Sequence, residues 1–177
     1  MTSEEHEYAA SFARAIAEDV RAHPPAGALV RVVIRWFEED DPLYFTVHAL
    51  GSDDRADVPP EDAWYPLEWP NVDQEMERTD RLAEHSAVRQ AGEALKTAYE
   101  AGPSEHAEDG DWARSPATVE VVRRLPDELQ AAGVRLDEEF AASAAHFEGW
   151  GALAVLQAVA DTHLLAALEA REELPAE

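Results

Sequence analysis

The stretch that decides the fold is Leu29–Leu50, which reads LVRVVIRWFEEDDPLYFTVHAL. Its two ends, residues 29–37 and 43–50, are rich in the β-branched and aromatic residues that favour strands. The acidic residues and the proline between them are typical of a turn. The sequence therefore predicts an antiparallel hairpin over residues 29–50.

If the loop of this hairpin closes symmetrically, the side chains that share each face are fixed, because neighbouring residues of a strand point to opposite sides. Both faces would be largely apolar, so we expect helices to cover one side of the sheet and part of the other. A homodimer that buries the remaining apolar surface stays open as an alternative. One face would combine side chains of both strands: Val30, Val32, Ile34, Trp36, Tyr44, Thr46, His48 and Leu50.

Three longer helices are predicted to pack on the sheet. Residues 3–22 repeat apolar side chains at four-residue spacing, which is the spacing of one helix face. Residues 71–101 and 151–172 also have helical patterns, and the second of these is the most apolar stretch of the chain. Together with the hairpin, these helices indicate a single α+β domain over residues 1–177, built on a small antiparallel sheet.

The stretch 117–124 is open to two interpretations. It alternates like a strand, and a hairpin alone makes a poor sheet, so we expect a third strand there. However, Ser115 and Pro116 would equally well begin a helix, and periodicity alone does not decide between the two. Residues 137–146 are predicted to form a short helix. We also expect a mobile loop at 103–114 and a frayed tail at 173–177.

The chain is strongly acidic, with 38 Asp and Glu against 14 Lys and Arg, which gives a formal net charge of −24. Such a surface repels phosphate backbones and anionic lipid, so we expect no nucleic-acid or membrane partner. Most of the excess negative charge belongs to two regions. Residues 29–70 have a net charge of −7, and residues 137–177 have a net charge of −8. No apolar run reaches the roughly 18 residues of a membrane span, and the acidic N-terminus is unlike a secretory signal, so we expect a cytoplasmic protein.

No catalytic or metal-binding motif is present. The chain has no cysteine and a single lysine, which removes thiolate chemistry and makes a lysine-based mechanism improbable. It also lacks the glycine-rich phosphate loops, the Gly-x-Ser-x-Gly turn and the His-Glu-x-x-His motif. We therefore predict no catalytic residues, no metal and no cofactor, and we expect a protein that is not an enzyme.

The most distinctive segment is WYPLEWP at residues 64–70. Its aromatic residues are held between prolines and offer large, rigid surfaces, which is the composition of a binding hot spot. The competing interpretation is a loop that buries its own tryptophans against the helices. From this segment and the acidic turns we predict a binding surface formed by eight residues: Trp64, Tyr65, Glu68, Trp69, Asp40, Asp41, Asp53 and Asp54.

The same segment resembles that of an uncharacterised bacterial family whose members begin with a helix, continue with a hairpin and carry Trp-x-Pro-x-Glu-Trp before a long helix. The matching residues here are Trp64, Pro66, Glu68 and Trp69. Such families occur among immunity and toxin-neutralising proteins, so the resemblance implies a binding role and brings no catalytic residues with it. It covers about the first hundred residues.

These observations favour an acidic protein-binding module, such as an immunity or inhibitor protein that captures a basic partner. Two alternatives remain open. In the first, the acidic residues serve only to hydrate the protein surface, either in a salt-rich cytoplasm or simply to keep the protein soluble. In the second, the chain is an enzyme without a recognisable motif.

Overall fold

The computed structural model describes residues 1–37, 41–101 and 115–175. Asp40 and the predicted mobile loop at 103–114 lie outside these ranges. The described chain forms seven α-helices and three strands. In chain order these are α1 (Ser3–Ala22), β1 (Leu29–Trp36), β2 (Phe45–Gly51), α2 (Ser52–Arg55), α3 (Val72–Glu84), α4 (Ser86–Ala101), α5 (Pro116–Ala131), β3 (Leu136–His146), α6 (Ala152–Val159) and α7 (Thr162–Ala170).

The sheet confirms the α+β class but is mixed, where we predicted an antiparallel sheet. β1 lies in the centre, between β2 and β3. It pairs antiparallel with β2, as the hairpin predicts, and parallel with β3. A parallel neighbour needs a long crossover connection, and here helices α3 to α5 lie in the connection between β2 and β3.

The predicted third strand at 117–124 is wrong, because these residues lie inside α5. Ser115 caps this helix by accepting a hydrogen bond from the backbone N–H of Thr118 at 3.1 Å, and Pro116 occupies the first turn. The side chains it buries follow helical spacing: Ala117, Thr118, Val121, Val122, Leu125 and Leu129. The actual third strand is β3, in the stretch that we predicted as a short helix.

The hairpin register differs by one residue from that of a symmetric loop. Trp36 pairs with Phe45, and Ile34 pairs with Val47. Because side chains alternate along a strand, this shift moves every side chain of β2 to the opposite face. Thr46 and His48 therefore share a face with Arg35 rather than with Trp36.

The three predicted helices are present, but two of them are interrupted. Helix α1 has the predicted bounds, and Thr2 and Glu5 form its capping box. The predicted helix 71–101 breaks at His85, where the backbone is extended, and continues as α4. The predicted helix 151–172 breaks in the same way at Ala160 and continues as α7.

The sheet is covered on both faces. The first face packs on α1, α4 and α5 and forms the main apolar core, to which Phe12, Ile34 and Trp36 belong. The second face packs under the connection 58–69 and against α6 and α7, in a smaller cluster that contains Val33, Trp64 and Trp69.

Side chains of α3 pair with the outer edge of β2. The hydroxyl of Thr79 accepts a hydrogen bond from the N–H of Val47 at 3.0 Å, and the Glu75 carboxylate accepts one from the N–H of Ala49 at 2.7 Å. Asn71 donates to the carbonyl of Ala49 at 2.9 Å. Residues four apart lie on one face of a helix, so these three side chains together occupy the edge that another strand could otherwise join.

Glu173, the first residue of the segment 173–177 that we predicted to be frayed, makes several contacts with the rest of the protein. The Glu173 carboxylate is buried and accepts a hydrogen bond from Arg31 of β1 at 2.8 Å. It also pairs with Arg55, and its backbone carbonyl accepts from the indole of Trp64 at 2.6 Å. These contacts attach the C-terminal segment to the central strand.

Candidate functional site

The segment 64–69 covers the second face of the sheet with its tryptophans turned inward. Trp64 and Trp69 are both buried. The Trp69 indole donates to the carbonyl of Asp62 at 3.1 Å, which adds to the bond between Trp64 and Glu173. Both indoles are therefore occupied in internal packing, as the competing interpretation expected, and neither presents a surface to a partner in this conformation.

Of the four predicted binding residues in this segment, Tyr65 and Glu68 are exposed. Tyr65 lies between two short 3₁₀ turns, Pro60–Asp62 and Pro66–Glu68. Its ring covers the guanidinium of Arg35, with 5.1 Å between the guanidinium carbon and the ring centroid. Tyr65 therefore forms the outer layer over a buried arginine.

Those of the predicted aspartates that the structure describes do not come together. Asp41 lies at the hairpin end of the sheet, where it pairs with Lys96 at 3.0 Å and accepts a hydrogen bond from the N–H of Leu43. Asp53 and Asp54 lie in α2, directly after the other end of β2. The seven residues of β2 separate these positions, a span of roughly 20 Å at about 3.3 Å per residue.

A different group of exposed side chains gathers at the hairpin end, and we call Phe37, Tyr44 and Phe147 the aromatic patch. Phe37 follows β1, Tyr44 precedes β2 and Phe147 follows β3. Because β1 and β3 run parallel and β2 runs antiparallel, these three positions meet at one end of the sheet. The backbone N–H of Phe37 donates to Tyr44 at 3.0 Å, and that of Phe147 donates to Trp36 at 2.9 Å.

The rings of the aromatic patch contact each other while remaining open to solvent. Phe37 and Phe147 stack at a centroid distance of 5.6 Å with their planes 12° apart, and Phe37 lies 5.2 Å from Tyr44. Phe37, Tyr44 and Phe147 remain 37%, 53% and 41% exposed. Next to them, His146 stacks on Trp150 at 4.3 Å. These rings together offer a partly exposed aromatic surface.

Sequence reasoning missed this patch because it placed a helix over β3. With 137–146 taken as a helix, nothing indicated that Phe147 lies beside the hairpin. The available signal was the position of Phe37 and Tyr44 at the two inner ends of the hairpin strands. Only the position of Phe147 required knowledge of the parallel pairing.

A second group of polar side chains lies on the covered face of the sheet, and we call Arg35, Thr46 and His48 the buried polar row. Arg35 pairs in register with Thr46, and His48 follows on the same face of β2. All three are buried, with Arg35 only 4% exposed. In the part of the chain that the structure describes, no partner satisfies Arg35 Nε or Nη2, Thr46 Oγ1 or His48 Nδ1.

Burial changes the acid–base behaviour of this row. Burial, together with the positive charges of Arg35 and Arg78, lowers the pKa of His48 to about 4, so its imidazole is neutral at pH 7. Burial also lowers the pKa of Arg35 below its ordinary value, although the Tyr65 side chain opposes this change. The row thus combines one cation with two neutral polar groups.

Two clefts lie on the described surface. One cleft of about 360 Å³ lies between α1 and α5, and another of about 220 Å³ lies against His23 and α3. Neither lining includes a serine, threonine, cysteine or lysine. In the second cleft Glu75 and Arg78 bond to each other at 2.6 Å. Among the described residues, no cluster of three or more His, Asp or Glu side chains could hold a metal ion.

Comparison with known protein families, with curated proteins and with solved structures finds no match to this chain. In the described part of the chain, none of the helices combines the length and the apolar character that crossing a membrane requires.

Proposed function

We propose that this protein is a non-enzymatic binding module that captures a basic protein through the aromatic patch. The observation that carries the proposal is the contact of Phe37, Tyr44 and Phe147 on an exposed surface. Aromatic residues are enriched among the few side chains that dominate binding energy at protein interfaces. An immunity or inhibitor protein, the class implied by the resemblance of residues 64–69, would use such a surface to neutralise its target.

The charge of the chain supports a basic partner. At a net charge of −24, the surface attracts cationic proteins and raises their rate of association. The aromatic patch itself has acidic neighbours in the sequence, with Glu148 directly after Phe147 and three acids between Phe37 and Asp41. The patch would provide the desolvated centre of an interface and the acids its charged rim.

Capture experiments with matched variants test this proposal. Wild-type protein, a patch variant carrying F37S, Y44S and F147S, and the control variant Met76→Ser would be immobilised and exposed to lysate at low salt. Met76 is exposed on α3, outside the patch. We expect wild type and the control to retain the same basic protein, the patch variant to lose it, and 0.5 M salt to weaken the capture.

The purified partner then gives the quantitative result. Loss of the three rings should weaken binding by at least 100-fold, since a hot-spot side chain contributes about 2 kcal/mol or more and 1.4 kcal/mol corresponds to tenfold. Equal retention by the patch variant, confirmed to be folded by circular dichroism, would contradict the proposal.

The solvation alternative is favoured by a separate observation. Asp41 lies at the opposite end of β2 from Asp53 and Asp54, so these three acidic residues do not form one face. Acidic side chains that serve only to hydrate the protein surface do not need to lie together on one face. This alternative predicts no specific capture by any variant and a stability that keeps rising into molar potassium chloride.

A further inference from the structure

The buried polar row contains an arginine whose surroundings differ from those of its neighbour on the same strand. This neighbour is Arg31, which lies four residues before Arg35 on the same face of β1. Arg31 donates hydrogen bonds to the Glu173 carboxylate at 2.8 Å and to the backbone carbonyl of Glu139 at 2.8 Å. Arg35 is equally enclosed, yet none of the described residues gives it a carboxylate or a carbonyl partner. In a chain with 38 acidic residues, this absence is unexpected.

The unpartnered atoms of Arg35 have a specific geometry. Nε and Nη2 are the two nitrogens whose N–H groups point in the same direction along one edge of the guanidinium plane. This edge matches two oxygens of a carboxylate or a phosphate, which it binds through two parallel hydrogen bonds. The face of the guanidinium is covered separately by Tyr65, so the stacked ring leaves the edge unused.

The neighbours of Arg35 add further hydrogen-bonding groups. Thr46 is its register partner and has an unpartnered hydroxyl, and His48, further along the same face, has an unpartnered Nδ1. A hydroxyl and a neutral imidazole can each donate one hydrogen bond. Burying a charged group and two polar groups without hydrogen-bond partners destabilises the folded protein. One bound oxyanion would provide hydrogen-bond partners for several of these groups.

Tyr65 packs closely on the backbone next to the row. Gly149 has a φ of +98°, and a Cβ built on it would lie 2.9 Å from the Tyr65 hydroxyl and 3.8 Å from Arg35 Nη2. Any other residue would press on the Tyr65 ring. Tyr65 is the outermost layer over Arg35 and is 39% exposed, so a molecule that reaches Arg35 from solvent would have to displace its ring.

We propose that Arg35, Thr46 and His48 form a binding site for a small oxyanion, a carboxylate or a phosphate, beneath Tyr65. The site shares no residue with the aromatic patch and does not depend on the proposed protein partner. Its ligand is small because the guanidinium edge is enclosed between the sheet and the segment 64–69.

Thermal unfolding in a phosphate-free chloride buffer tests the site. Potassium phosphate or potassium acetate would be added, with potassium chloride at matched ionic strength as the reference. We expect at least one of the two oxyanions to raise the Tm above the chloride reference and to shift the backbone amide signals of Thr46 and Gly149 in NMR spectra. The oxyanion that acts at the lower concentration identifies the class of ligand.

Variants separate this site from a general effect of salt. Arg35→Met should abolish the difference between oxyanion and chloride, whereas Arg89→Met, which removes an exposed arginine of α4, should keep it. If Arg35→Met does not fold, Arg35→Lys and Thr46→Val provide the same comparison, because each removes hydrogen-bonding groups of the site and should weaken binding at least tenfold. Equal effects of all three anions on wild type, or an unchanged oxyanion effect in the Arg35 variants, would overturn the proposal.

Discussion

His48 lies on the covered face of the sheet, and its pKa of about 4 makes protein stability depend on pH. An unfolded chain has the ordinary histidine pKa of about 6.5. As pH falls below that value, the unfolded chain binds a proton that the native protein does not bind until about pH 4. The free energy of unfolding is therefore retained above pH 6.5 and lost between about pH 6.5 and 4.

We expect His48 to account for a loss of about 2 kcal/mol in the free energy of unfolding between pH 7 and pH 5. Urea unfolding at both pH values measures this loss. His48→Gln cannot bind the proton, so its loss over this range should be smaller than that of wild type by the same amount. The exposed residue His163 gives the control, because His163→Gln should follow wild type. An unchanged pH dependence in His48→Gln would contradict the assignment.

Arg78 is the centre of a buried ion-pair network. Its guanidinium bonds to Glu75 at 2.6 Å, pairs with Asp19 and donates to the carbonyl of His23 at 2.9 Å. Removing one partner of a buried pair leaves the other charge uncompensated. We expect Arg78→Ala to lower the free energy of unfolding by about 3–5 kcal/mol.

The matched control for Arg78 is Arg123, which pairs with Glu120 at 2.8 Å on an exposed part of α5. Exposed ion pairs contribute about 0–1 kcal/mol, so Arg123→Ala should remain close to wild type in chemical denaturation. Similar losses for the two variants would show that the Arg78 network stabilises the protein no more than a surface pair does.

At the scale of elements, side chains of α3 bond to the outer backbone edge of β2, where no further strand is paired in the described sheet. Thr79→Val keeps the side-chain shape but removes the acceptor for the N–H of Val47, which is buried. An unsatisfied buried donor costs about 1–3 kcal/mol, and we expect Thr79→Val to be destabilised by that amount. Hydrogen exchange should show faster exchange at the Val47 amide.

Thr97→Val is the control for this prediction. Thr97 is exposed on α4, and its hydroxyl bonds only within its own helix, to the carbonyl of Glu93 at 2.8 Å. This substitution should change stability by no more than about 0.5 kcal/mol. Should Thr79→Val behave like Thr97→Val, the side chain of Thr79 would not be what satisfies the β2 edge.

The elements that the sequence predicted correctly are those with a strong local pattern. β1 and β2 are rich in branched and aromatic residues, and α1 has a complete apolar face with a capping box. β3 has the opposite character, because its buried part is Ala-Ala-Ser-Ala-Ala, which has little intrinsic preference for strands. Its conformation is set by pairing with β1, a contact that no local pattern reveals.

α5 illustrates the reverse case. Its β-branched residues Thr118, Val119, Val121 and Val122 favour a strand when taken alone, but the cap at Ser115 and the apolar positions after 122 complete a helical face. Tertiary packing against α1, which contacts α5 extensively, outweighs the local preference. Prediction fails here because the deciding residues lie on both sides of the alternating stretch.

The candidate sites were harder to predict than the fold. The aromatic patch needs the ends of three strands to be known, and the buried polar row needs the exact register of β1 with β2. A shift of one residue placed Thr46 and His48 on the wrong face, away from Arg35. The inward direction of Trp64 likewise depends on Glu173, a residue more than a hundred positions away in the chain.

At the scale of the whole molecule, the net charge of −24 predicts a response to salt. Self-repulsion of the surface is screened as the Debye length falls from about 30 Å at 0.01 M to about 8 Å at 0.15 M salt. We expect the free energy of unfolding to rise steeply over that range of potassium chloride and to change little above about 1 M. Urea titrations at fixed salt concentrations measure this response, and a rise that continues to several molar would instead support the solvation alternative.

The parallel pairing of β1 with β3 determines the order in which the molecule can assemble during its synthesis. β1 emerges early from the ribosome, but Arg31 pairs with Ala141 of β3 and with the carboxylate of Glu173. Until those residues are made, Arg31 lacks its carboxylate partner and β1 has no neighbour on the side of β3. Closing so long a loop is slow, so we expect β3 to join the sheet after the β1–β2 hairpin has formed.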